Sequence, residues 1–117
     1  MAATDSTQFL LLDDEWRPIR RVCADDGWRR VVHELLEHDS QWLVIEQRRL
    51  GDQPPAPRWD DIRLSRAISR RLRPMEVKLA DHVIQGRERK FSFRAARELT
   101  RKLNLHREIH EIEERYF

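Results

Sequence analysis

One cysteine, Cys23, stands in 117 residues. A lone thiol closes no internal disulfide and cannot found a thiolate zinc site, so packing must hold the fold. Glycine is nearly as scarce: three residues, dispersed at positions 27, 51 and 86, supply no glycine-rich loop to cradle a phosphate. No apolar run approaches the ~18 residues of a membrane span, and the opening MAATDSTQ has neither a basic head nor an apolar signal core. A cytoplasmic location without a membrane partner is therefore expected. Hydrophobic residues make up only 39%, so the core must be small, and four tryptophans (Trp16, Trp28, Trp42, Trp59) have to contribute much of its area.

A recognisable catalytic constellation is also missing. Cys23 neighbours Asp25 and Asp26, whose charge disfavours a thiolate. His33 and Glu37 sit at i, i+4 and read as a helix-surface pair. His106 and His110 share that spacing, but His-Arg-Glu-Ile-His lacks the glutamate directly after the first histidine that the zinc-protease pattern needs. The expectation is a protein that is not an enzyme, with no catalytic residues, no metal and no cofactor.

What the chain has in excess is charge: 38% of residues, against ~25% in ordinary domains. Its distribution is uneven. Residues 1–57 carry 7 basic and 11 acidic side chains (net −4), residues 58–107 carry 15 and 6 (net +9), and residues 108–117 carry 1 and 4 (net −3). A cationic middle between acidic flanks favours an anionic partner.

Residues 9–12 read as a buried strand, and residues 17–23 as a second one that Pro18 confines to an edge or a strand start. Asp25-Asp26-Gly27 reads as a helix start, with an aspartate as cap. Trp28, Val31, Val32, Leu35 and Leu36 then repeat with the period of an amphipathic helix, and residues 41–47 read as a central strand. The prolines of residues 52–58 form a linker, and Trp59 is placed to pin the next segment back onto the first unit.

Beyond it, Asp60 would cap a helix running to about Leu72, Pro74 would open another carried by Val77, Leu79, Ala80, Val83 and Ile84, and Gly86 would stop it. Ser92 would cap the next helix, with a break near Asn104 before a last one. The expected fold is α+β: a strand-helix-strand lobe over 1–51, a linker over 52–58, and a basic lobe over 59–117 built as a bundle of three to four short helices. The two lobes could share one core.

Two arginine ridges stand out. Arg63, Arg66, Arg70 and Arg73 track the polar side of one helix. Arg94, Arg97 and Arg101 track the polar side of another, flanked by Arg87, Arg89, Lys90 and Lys102. Helices near 75–85, 92–103 and 105–116 resemble helix-turn-helix domains, in which a small residue such as Ala96 and a core leucine such as Leu99 recur. The connection Thr100–Leu105 is longer than that family's turn and lacks its glycine, and the last helix, HREIHEIEERYF, carries four glutamates, which would repel phosphates. Nucleic-acid contact is therefore expected through the ridges, to the phosphate backbone. Leu105, Ile109, Ile112 and Tyr116 form a 4-3-4 seam suited to a protein partner or a homodimer. The functional expectation is a non-catalytic nucleic-acid-binding accessory or regulatory protein. The alternative is an interaction module or inhibitor that meets an acidic protein surface.

Overall fold

The computed structural model describes residues 6–52, 54–97 and 99. Among them run β1 (Ser6–Leu12), β2 (Pro18–Cys23), α1 (Trp28–Glu37), β3 (Trp42–Arg48), α2 (Trp59–Leu72), β4 (Lys78–Gln85) and β5 (Lys90–Ser92), and helical backbone resumes over 93–97, here α3. The strands form one five-stranded sheet in the order β2-β1-β3-β4-β5. Only β3 and β4 pair in parallel; the other three pairings are antiparallel. A parallel pair needs a crossover, and α2 supplies it.

The first half follows its residue pattern. In β1, Phe9, Leu11 and Leu12 are buried, with Val22 of β2 and Leu43 and Ile45 of β3. Pro18 opens β2, which is an edge strand, as a residue without an N–H must. Helix α1 buries Val31 and Leu35 against this layer, and α2 buries Ile68 and Leu72 in the same cluster. Trp28 meets Phe9 edge to face at 5.8 Å. The cap of α1 is Gly27 at φ 89°, not an aspartate; Ala24–Asp26 make a separate 3-10 turn. Trp59 is 71% exposed and pins nothing.

Among the described residues the expected C-terminal bundle of short helices is absent. Pro74 opens only a 3-10 turn, Arg73–Met75, after which Glu76 adopts φ 58° and the chain leaves as a strand. The residues assigned to a helix at 77–84 are β4, where Ala80, His82 and Ile84 alternate inward. Gly86 stops no helix; its N–H donates to the Arg89 carbonyl across the β4–β5 turn. A Cβ there would come within 3.1 Å of Pro55, so glycine lets the proline segment lie against this turn. Ser92 does cap the next helix, its Oγ accepting from the Ala95 N–H at 3.1 Å. Asn104, His106 and His110 lie outside the described residues, as does the seam of Leu105, Ile109, Ile112 and Tyr116. Among the described residues no helix is long and apolar enough to cross a membrane.

Candidate functional site

Parallel strands deliver their functional groups at their carboxyl ends, and β3 and β4 end side by side here, Arg48 opposite Gln85. The pairing slips by one residue between Leu43 and Val44, so that Leu43 faces Leu79 but Ile45 faces His82. Without the slip Asp81 would stand beside Ile45. The extra residue, Ala80, thus turns an imidazole rather than a carboxylate into the buried row of β4.

Three ionisable groups meet under the segment that joins β3 to α2. Arg49, the residue after β3, is buried, as are Asp61 in the first turn of α2 and His82. The Arg49 Nη2 donates to Asp61 Oδ2 and its Nη1 to the Ala56 carbonyl. The same Asp61 oxygen accepts the Arg58 N–H at 2.7 Å, which ties the helix start to the pair. Burial is the main reason the His82 pKa falls to about 4; Asp61 and Asp81 pull it up and Arg49 pushes it further down. His82 is therefore neutral at pH 7. Its Nε2 faces Gln47 Oε1, an acceptor, so the proton sits on Nε2 and Nδ1 keeps a lone pair. That Nδ1 is buried without a hydrogen-bond partner. Phe93 stacks on the ring at 4.4 Å.

Asp81, one residue away, anchors α3: it accepts from Ser92 Oγ at 2.6 Å and from the Arg94 N–H at 3.0 Å. Above the ends of β3 and β4 lies an open cleft of about 450 Å³, lined by Arg48, Arg49, Leu50, Gly51, Asp52, Gln85, Gly86 and Arg87. Arg87 reaches across to Asp52 at 2.8 Å, linking the β4–β5 turn to the β3–α2 segment.

The arginines singled out from sequence fall in several places. Arg63, Arg66 and Arg70 are exposed on α2 and Arg73 is exposed just past its end, in the 3-10 turn, and Arg97 joins them along one groove with Ser65 and Ser69. Arg63 is paired with Asp60. Arg87 and Arg89 line a different groove with Asp52, Pro54, Pro55 and Glu88. Lys90 opens β5, and Arg94 lies over the Trp16 ring at 4.7 Å. Arg101 and Lys102 lie outside the described residues. His33 and Glu37 form the expected surface pair at 2.9 Å. Sequence reasoning misses Arg49, Asp61 and His82. The available signal was the β-type alternation of Lys78–Gln85 and a charged residue directly after a strong central strand.

A family model described as "RadC-like JAB domain" matches residues 9–101. No curated protein matches the chain. The match covers β1 to α3 and so takes in Arg49, Asp61 and His82. It overturns the expectation of an arginine-helix nucleic-acid binder or charged inhibitor. It equally overturns the expectation of a non-enzyme, because this family is of the JAMM-like metallohydrolase type.

A hydrolase of that type implies a metal ion, held by several nitrogen and oxygen ligands. The described residues do not fit one. Among them no group of three or more His, Cys, Asp and Glu side chains converges, and the buried Asp61 carboxylate is already bound by a guanidinium.

Proposed function

The chain belongs to the RadC-like JAB domain family, and from that premise we propose that it is a polypeptide-handling domain whose working cleft lies over the ends of β3 and β4. The family's metalloprotease-like character makes polypeptide the ligand class. The observation that carries the reading is a cleft whose lining holds three arginines, Arg48, Arg49 and Arg87, and one aspartate, Asp52. Such a lining favours an anionic group small enough to sit among the side chains, and on a polypeptide that group is a carboxylate. Arg presents its donors in a fork that matches a carboxylate in bidentate fashion. Arg48 and Arg87 are exposed and are the residues proposed to take the ligand, while Arg49 keeps the β3–α2 segment in place.

Fluorescence anisotropy with labelled peptides tests this. A peptide with a free terminal carboxylate should bind at least about tenfold more tightly than the same peptide amidated, the ~1.4 kcal/mol of one charge-assisted contact. Arg48→Ala with Arg87→Ala should erase the difference. Equal binding of the two peptides, or binding of neither, contradicts the reading.

A further inference from the structure

In a family of metallohydrolase type, the centre of this chain has a cation of its own. We propose that the Arg49 guanidinium is the domain's resident cation, standing against Asp61 where a divalent ion would have to bind and keeping such an ion out. This rests on the proposed placing of the working cleft over the ends of β3 and β4, whose lining includes Arg49.

The donor set supports it. Asp61 offers a buried carboxylate, but one oxygen receives both the Arg49 guanidinium and the Arg58 N–H. An ion approaching that oxygen would meet a fixed positive charge within a buried site, where repulsion is weakly screened. The second potential ligand is His82. Its Nε2–H is held by Gln47 and its Nδ1 lone pair is left without a partner. A metal-bound histidine has this arrangement, one nitrogen fixed by a hydrogen bond and the other presenting its lone pair. In this chain the nearby Arg49 guanidinium is spent on Asp61 and the Ala56 carbonyl and does not reach that lone pair. Asp81 is not available as a third ligand, since both its oxygens already accept hydrogen bonds at the start of α3. Arg49 in turn is fastened from a second side by the Ala56 carbonyl. Its charge is permanent, since a guanidinium does not deprotonate in proteins, so the Asp61 carboxylate keeps its cationic partner at every physiological pH.

The test is zinc binding by the purified full chain, measured by equilibrium dialysis and by the shift of the melting temperature. The informative quantity is the part of the binding that Asp61→Asn removes. In the unaltered chain that part should be nil. Arg49→His removes the charge and adds an imidazole next to the Asp61 carboxylate; it should raise Asp61-dependent zinc affinity by at least about tenfold. Asp61-dependent zinc binding in the unaltered chain overturns the proposal, whether or not the variant folds. So does a folded Arg49→His chain, verified by circular dichroism, that gains no such binding. Neither outcome bears on the preference for peptide carboxylates, which Arg48→Ala with Arg87→Ala tests separately.

Discussion

Arg49 and Asp61 hold each other out of water. Removing one partner of such a pair strands a buried charge, a change that typically costs about 3–5 kcal/mol. Arg49→Ala and Asp61→Ala should each lower stability by about 3 kcal/mol, and the double variant by little more than either alone, because the second truncation relieves the charge stranded by the first. Urea denaturation of the four chains checks this; additive losses would mean that the two groups are not coupled.

His82 gives a second residue-scale expectation. Its folded pKa of about 4 lies below the ordinary 6.5, so the unfolded chain binds its proton first as pH falls. Its contribution is complete above pH 6.5, declines below it, and is spent near pH 4, up to about 3 kcal/mol in total. His82→Gln should flatten the stability profile in that window. An unchanged slope would place the titration on other groups.

At the scale of elements, the register slip at Ala80 decides which side chain of β4 enters the buried row. Deleting Ala80 removes the extra residue, leaves His82 beside Ile45 and turns Leu79 into the row that Ala80 occupied; the melt should stay cooperative, as followed by circular dichroism, and its loss would show that the slip is indispensable. Ser92→Ala should cost about 1 kcal/mol as a lost cap, together with the Ser92 contact to Asp81.

Much of this level was legible from sequence. β1, α1 and β3 follow from Phe9–Leu12, from the Trp28–Leu35 stripe and from the aromatic and β-branched run after Gln41. Pro18 marked the edge, and Ser92 marked a helix start. β4 was missed because Val77, Ala80 and Ile84 satisfy a helical spacing as well as they satisfy alternation. Two facts settle it in space. Glu76 takes a left-handed conformation that ends the preceding turn, and β3 presents an open edge that a neighbouring strand must pair. Both are tertiary facts, and a spacing count over one short window contains neither.

The cluster was illegible for a related reason. Arg49, Asp61 and His82 are remote in sequence, and a βαβ crossover brings them together only if 78–85 is a strand. With that segment read as a helix, Arg49 is one more surface arginine.

For the whole molecule, charge composition was informative about surface and misleading about role. Arg63, Arg66 and Arg70 lie exposed along α2 and Arg73 just past its end. The functional reading moves from that ridge to the other end of α2, where one arginine is buried rather than displayed. Strands on both sides of the proline-rich segment share a sheet, and Pro55 against Gly86 draws the segment onto it. Gly86→Ala should loosen this packing and weaken capture of a peptide carboxylate while sparing the melting temperature to within a few degrees, since the crowded contact is one proline ring. Wild-type binding by this variant would dissociate the cleft from the proline segment.

Hydrogen–deuterium exchange of the full chain with and without a free-carboxylate peptide tests the account most directly. Slowed exchange over residues 48–58 and 85–89, the two sides of the cleft, is the expected result. Protection confined to the arginine row of α2, with those two segments unchanged, would contradict it.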